Sequence, residues 1–376
     1  MKVITTEKKP IKMWLKEIED GALEQAKNLA NLPFIFKHVA LMPDAHQGMG
    51  MPIGGVIATK GVVIPNAVGV DIGCGMCAAK LPITEIDRDY LQDVVNGIKS
   101  IIPVGFRHHE KRQEWRGFSL APDIPIIYQE LNKAMYQLGT LGGGNHFIEI
   151  QTGSDGHIWV MIHSGSRNFG LKIANYYHKR AVELCEKWHS NLPSKDLSFL
   201  PVNTDDGQGY LDAMKYALQF ARANRAEMLK AVLGVLDMEA VDEINIHHNY
   251  AAHEHHFNTN VIVHRKGATS ATFGQRGIIP GSQGTKSYIV FGKGNPESFM
   301  SCSHGAGRVL GRRAAKEALS LEGELEKMGD VIHGMKGKDD LDEAPGAYKD
   351  IDEVMGNQQD LVDIVVELKP LAVIKG

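Results

Sequence analysis

Short apolar runs separated by glycine and proline limit what this chain can become. Phe34 to Leu41, Ile53 to Thr59, Val62 to Ile64 and Met76 to Leu81 each have strand length, and the residues between them are built for demanding turns. Further strands are expected near His146 to Ile150 and His157 to Ile162, after Ile244, and in a tail strand within Leu361 to Ile374 that Pro370 interrupts. Helical periodicity appears at Ile18 to Leu32, Asp87 to Ser100, Pro125 to Leu138, Leu171 to Ser190 and Asp206 to Leu236, with Asp205 or Asp206 as the N-cap of the last. Another helix is expected from just after His304 to about Leu319, and one near Asp350. The alternation is too irregular for a doubly wound sheet, and no repeat of solenoid length occurs. These features predict an α+β fold. Residues 1–376 are expected to form one elaborated domain of mixed short-stranded sheets and flanking helices, with Leu171 to Leu236 as a mostly helical insertion.

Composition narrows the setting. The four cysteines, Cys74, Cys77, Cys185 and Cys302, form no disulfide framework, and Met1 to Lys16 carries five lysines without an apolar signal core. A reducing, cytoplasmic setting follows as an expectation. No run approaches the roughly 18 apolar residues of a membrane helix. The net charge is -4, but unevenly spread. Val261 to Lys316 holds nine Lys or Arg against Glu297 alone, whereas Asp339 to Gly376 holds ten acids against three lysines. The basic segment is a candidate phosphate-binding surface if its cations are free, and a solvated face if they are scattered.

Five residues of metal-ligand type sit inside turns or apolar runs. Asp71 and Cys74 lie in Gly69-Val70-Asp71-Ile72-Gly73-Cys74-Gly75, where flanking glycines let a carboxylate and a thiolate converge. His146 follows Gly142-Gly143-Gly144-Asn145, and His163 ends the apolar run Val160-Met161-Ile162. In Ile246-His247-His248-Asn249, strand alternation sends the two histidines to opposite faces, so only one enters a given site. Each motif alone admits a plainer reading as a tight turn or a hydrogen-bonded structural histidine. Together Asp71, Cys74, His146, His163 and His248 make an O, S, N set able to hold one or two divalent cations. Thiolate and imidazole suit zinc, while Mn²⁺ prefers oxygen, so ligand type leaves the metal open. Two stretches suit a nucleotide: Ile279-Pro280-Gly281-Ser282-Gln283-Gly284-Thr285-Lys286-Ser287, and Ser303-His304-Gly305-Ala306-Gly307-Arg308 at an expected helix start. His304 there reads as a general acid, a metal ligand or a nucleophile on phosphorus.

Asp71-Ile72-Gly73-Cys74-Gly75-Met76, Gly142-Gly143-Gly144-Asn145-His146, His163-Ser164-Gly165-Ser166-Arg167, His247-His248-Asn249-Tyr250, His264-Arg265-Lys266-Gly267-Ala268-Thr269 and Ser303-His304-Gly305-Ala306-Gly307-Arg308 occur together and in order. The sequence closely resembles the RtcB family of RNA ligases, from about Met42 to Gly376. The resemblance implies a GTP- and Mn²⁺-dependent enzyme joining RNA ends that bear a 2′,3′-cyclic phosphate or 3′-phosphate to a 5′-hydroxyl. It implies one metal on Asp71, Cys74 and His146, and a second on the bridging Cys74 with His163 and His248. It makes His304 the residue that carries guanylate. Guanylate contacts would fall on Asn145, His146, Phe147, Ile148, Glu149, His248, Asn249, Pro280, Gly281, Ser282, Gln283, Ser287, His304, Gly305, Ala306, Gly307 and Lys375. Arg167 and Arg308 would anchor the RNA phosphate, and an archease-type activator is the protein partner it brings into view. Gln283 departs from the apolar residue common in that loop, and the chain is short around Asn191 to Asp205. The short chain favours RNA repair over tRNA splicing. The rival readings are a binuclear metallophosphoesterase without a covalent nucleotide, and a non-catalytic RNA-binding or metal-sensing module.

Overall fold

A computed structural model describes the whole chain, Met1–Gly376. Two sheets dominate. The first, of six strands, runs Lys2–Ile4, Ile11–Met13, Ile35–His46, Ile53–Thr59, Thr259–Lys266, Asn249–His256 from edge to edge. The second, of seven, runs Asp242–His247, Gly75–Lys80, Ile158–Ser164, Phe147–Gly153, Val362–Lys375, Ser287–Gly292, Arg276–Ile279. All pairings are antiparallel except that of Ile11–Met13 with Ile35–His46. The mixed α+β architecture expected from the interrupted apolar runs is present, and no helix is long and apolar enough to cross a membrane.

Three local expectations need correction. Val362–Lys375 passes through Pro370 as one strand, with a register shift between Pro370 and Ala372 that absorbs the missing N–H. The helix Asp205–Leu236 is capped by Thr204, whose hydroxyl accepts from Gly207 N at 3.2 Å, while Asp205 and Asp206 lie in the first turn. No helix starts at His304. The strand Ser301–Ser303 ends there and a loop runs to Gly311, with the helix Arg312–Ala318 following. The reason is a close backbone approach. Gly307 has φ +74°, and a Cβ on it would lie 2.2 Å from the carbonyl oxygen of Asp44, so the loop is pressed onto the strand Ile35–His46 rather than coiled.

Leu171 to Leu236 falls on the helices Arg167–Lys187 and Asp205–Leu236. The second buries Tyr210, Ala217, Phe220, Met228 and Val232 against the seven-stranded sheet and neighbouring helices, spanning two of the core clusters.

The acidic tail folds onto the basic segment. Lys286 pairs with Asp352 at 3.1 Å, Lys293 with Asp363 at 2.7 Å, Arg308 with Glu343 at 3.1 Å and Lys316 with Asp339 at 3.5 Å. The cations that looked like a phosphate-binding surface are largely neutralised within the chain.

Arg265, fully buried, ties the six-stranded sheet to residues Phe299–Ser301. It donates to both oxygens of Glu254, to Ser301 Oγ at 2.8 Å and to the carbonyl of Phe299 at 3.0 Å. Burial works to raise the Glu254 carboxyl, but the Arg265 guanidinium wins and holds it down to about 2. Arg265→Met strands that carboxylate and is expected to cost about 3–5 kcal/mol in chemical denaturation at pH 7. A carboxyl with a depressed folded pKa stabilises above its unfolded value and loses that contribution as pH falls toward 2. The gap between wild type and variant should therefore narrow from pH 7 to pH 3, and an unchanged gap would count against this pairing.

Candidate active site and metal centre

The site forms where the two sheets meet. Asp71 and Cys74 lie on the loop entering Gly75–Lys80, His146 immediately precedes Phe147–Gly153, and His163 is near the end of Ile158–Ser164. His248 is the corner residue between Asp242–His247, in one sheet, and Asn249–His256, in the other. Strand pairing sets the approach: Met76 and Phe147 both stand opposite His163, and His248 N donates to Cys74 O at 2.8 Å.

Two groups of donors converge with Cys74 in both: Cys74, His163, His248, and Asp71, Cys74, His146. Cys74 Sγ is 3.2 Å from His163 Nε2 and 3.4 Å from His146 Nε2. His146 Nε2 is 3.1 Å from Asp71 Oδ2, and the Nε2 atoms of His163 and His248 are 3.3 Å apart. The opposite ring nitrogens explain what these atoms offer. His146 Nδ1 donates to Leu141 O and His163 Nδ1 to Asn145 O, each at 3.0 Å, which leaves both Nε2 atoms as lone pairs facing the sulfur. Lone pairs from imidazole, carboxylate and thiol crowded in this way suit a cation between them. Asp71 Oδ1 is buried with no protein partner, as a ligand atom awaiting a metal would be. Burial, with Asp71 adding to it, pushes the Cys74 thiol well above its ordinary value, and burial holds His163 and His248 well below theirs. With the thiol protonated in the metal-free protein, binding a cation through Cys74 entails loss of the thiol proton.

Arg225 supports this loop system from the helix Asp205–Leu236. Fully buried, it donates to Gly73 O at 3.0 Å, Ser164 O at 2.8 Å and Asn245 Oδ1 at 2.9 Å. Its neighbour Asn224 donates to Thr140 O and Gly165 O at 3.1 Å each. His247 turns toward Arg225 and Gly73, away from the cluster, as strand alternation required.

His304 faces the same place. Its ring centroid lies 4.7 Å from that of His248, and its Nδ1 donates to Asp44 Oδ2 at 2.6 Å. Asp44 is fully buried and also accepts from His304 N at 3.1 Å. Burial works to raise the Asp44 carboxyl, but the charge and hydrogen bond of His304 bring it below the ordinary range. Lys349 Nζ braces the Asp44 backbone, donating to Ala45 O at 2.7 Å and Pro43 O at 3.2 Å. Gly267 makes room, since a Cβ there would stand 3.0 Å from His304 Cε1. The imidazole is thus held in one tautomer with Nε2 left unbonded by protein.

A cleft of about 700 Å³ opens in front of these groups, lined by Asp71, Cys74, His163, His248, His304 and the flanking loops. A family model described as tRNA-splicing ligase RtcB matches residues 25–121 and 116–376. The chain belongs to the RtcB family. It is 42% identical to an RNA-splicing ligase RtcB of Escherichia coli (strain K12), across 100% of this chain and 99% of that protein. It is 33% identical to an RNA-splicing ligase RtcB of Mycobacterium tuberculosis, covering 94% of this chain and 100% of that one. A tRNA-splicing ligase RtcB of Thermococcus kodakarensis is 31% identical, covering 95% and 92%.

Of the residues that the RtcB resemblance assigns to guanylate, Asn145, Phe147, His248, Asn249, Pro280, Gly281, Ser282, Gln283, His304, Gly305, Ala306, Gly307 and Lys375 line the cleft. Four do not. His146 lies with the donor cluster, and Ile148 packs into the core with Ile150 and Ile162. Glu149 and Ser287 stand behind the cleft, both bonded to Gln151 Nε2, and burial pushes the Glu149 carboxyl up to about 8. Asn249 is spent on the fold, donating to Asp71 O at 3.0 Å and accepting from Gly267 N at 2.7 Å. Arg308 lines the cleft, but its guanidinium is committed to Glu343, Asp342 O and Leu310 O. Arg167 donates to Thr140 Oγ1 at 3.0 Å and Gly105 O at 2.9 Å, beside Asp71 and Cys74. Sequence reasoning missed Asp44 and Arg225. The first had a signal, an acid between Pro43 and His46 closing an apolar run. The second is a cation at helical spacing with buried Ala221, Met228 and Val232.

Proposed function

We propose that this chain is an RNA ligase that joins a 3′-phosphate or 2′,3′-cyclic phosphate end to a 5′-hydroxyl end through guanylate carried on His304. One observation supports it above the others: an imidazole held by a buried carboxylate, with its free nitrogen open to a cleft whose wall is a cluster of metal-ligand type. The donor set fits two divalent cations, one with Asp71, Cys74 and His146, the other with Cys74, His163 and His248. Mn²⁺ in those positions would supply charge neutralisation for phosphate oxygens.

On this reading the chain's own residues carry each step. His304 Nε2 attacks the α-phosphorus of GTP, a P–N bond forms, the P–O bond to pyrophosphate breaks, and pyrophosphate leaves. Asp44 keeps the proton on Nδ1, stabilises positive charge on the ring and aims its lone pair. An RNA 3′-phosphate oxygen then attacks the same phosphorus, breaking P–N and returning His304 to its starting form. The 5′-hydroxyl attacks the activated 3′-phosphorus, its proton goes to solvent or a base, and guanylate departs with its bonding electrons. A cyclic end is first opened by water, with the bond to O2′ breaking. Pro280 to Gln283 and Gly305 to Gly307 approach the nucleotide with backbone, and Lys375 approaches with its ammonium. Arg167 and Arg308 are both candidates for the RNA phosphate, and each would exchange protein acceptors for it: Arg167 those on Thr140 and Gly105, Arg308 those on Glu343, Asp342 and Leu310.

The test uses α-labelled GTP with Mn²⁺, followed by RNA carrying a 3′-phosphate and a 5′-hydroxyl. The expected result is acid-labile label on the protein, then joined RNA dependent on GTP. Release of phosphate without GTP and without joined product would instead establish the phosphoesterase reading.

A further inference from the structure

Beside the cleft, one segment carries cations that the fold leaves free. Residues 103–116 loop out between the helix Arg88–Ile101 and the turn Arg116–Leu120, with their backbone pinned. Leu141 N donates to Pro103 O at 3.0 Å, Gly105 N to Gly142 O at 2.8 Å, His109 N to Tyr136 O at 3.0 Å and Gln113 N to Met135 O at 2.8 Å. Arg167 clamps Gly105 O at 2.9 Å. The loop is thereby joined to the glycine turn that presents Asn145 to the cleft and His146 to the donor cluster. A Cβ on Gly143 would stand 3.6 Å from Gly105 Cα.

From this base Phe106 projects fully into solvent. Arg107 follows it, and Lys111 and Arg112 lie farther along the same exposed loop, which also carries Glu110 and Glu114; the side chains of the three cations make no ion pair or hydrogen bond within the chain. Lys286, Lys293, Arg308, Arg312 and Lys316, by contrast, are all paired with acids. The ring stands alone among polar neighbours, so it does not make the contiguous apolar patch that a protein partner would cover. A lone aromatic face with unpaired cations around it is the chemistry of single-strand recognition. Any base can stack on the ring, and each cation can meet a phosphate.

We propose that Phe106 stacks a base of the single-stranded RNA end being joined, near its reacting terminus, while Arg107, Lys111 and Arg112 take its phosphates. This rests on the ligase reading above. Three variants test it: Phe106→Ala, Phe106→Trp, and the triple Arg107→Ala/Lys111→Ala/Arg112→Ala. Each is measured for protein labelling by GTP without RNA, for affinity toward a short 3′-phosphorylated oligonucleotide, and for KM in joining. Labelling should stay at the wild-type level in all three. Phe106→Ala should weaken RNA binding by roughly tenfold and raise KM alike, with Phe106→Trp restoring both. The triple variant should lower the slope of log affinity against log salt by about 2, at ~0.7 per phosphate contact on a single strand. Wild-type affinity and KM in Phe106→Ala, with an unaltered salt slope in the triple variant, would overturn the proposal. Failure of wild-type protein to take label from GTP would strike the ligase reading instead, and the affinity measurements would still judge the RNA site.

Discussion

His304→Ala should take no label from α-labelled GTP and should join no RNA, because it removes the only nitrogen assigned to the P–N bond. Asp44→Asn is the more informative partner. An amide can still touch Nδ1, but it donates as readily as it accepts and cannot stabilise positive charge on the ring. Labelling should fall by about a hundredfold, the scale of a misaimed nucleophile. His304 Nδ1 and N both rely on the same carboxylate oxygen, at 2.6 and 3.1 Å, so rotation of the ring is the expected structural result. The rate of label uptake under single-turnover conditions measures it. Label on His304→Ala would remove the assigned nucleophile, and full-rate labelling of Asp44→Asn would remove the positioning role of the carboxylate.

Cys74→Ala takes a donor from both groups at once, whereas His163→Ala takes a donor from only one. Metal analysis of the purified variants after Mn²⁺ loading should show the alanine at Cys74 failing to hold either ion and His163→Ala retaining the one assigned to Asp71, Cys74 and His146. The loss of several kcal/mol of charge stabilisation around the phosphates corresponds to about a 10³-fold fall in label uptake. The side chain at Cys74 is small and buried, and Cys74→Ser keeps its shape, so a matching loss in the serine variant with unchanged thermal unfolding of the metal-free proteins separates metal loss from misfolding. Full guanylylation by Cys74→Ala would exclude a bridging role for the sulfur.

Much of the site was legible before any coordinates. Asp71, Cys74, His146, His163 and His248 stand out because ligand-type side chains inside glycine turns and apolar runs run against the usual exposure of polar groups. Those five converge. Alternation required that only one of His247 and His248 enter the site, since period-two geometry needs no knowledge of the partner strand, and the family resemblance chose His248. The helix expected after His304 failed because helix-start signals are local. Gly307 instead serves a close approach to Asp44, which is far away in sequence, and His304 N donates to the same residue. The two readings of the basic run from Val261 to Lys316 stayed open for the same reason. Its charges are neutralised by acids that adjoin it only after the tail strand has paired with Ser287–Gly292.

The chain's own order of residues decided which elements form and which side chains are out of place among them, because propensity, periodicity and turn chemistry act over a few neighbours. Tertiary structure alone decided what those side chains meet: Asp44 behind His304, Arg225 beneath the metal loops, the tail against the basic run, and the unpaired cations around Phe106. Such contacts depend on register between strands far apart in sequence and on burial that sets each group's charge, and neither quantity exists until the sheets have closed on each other.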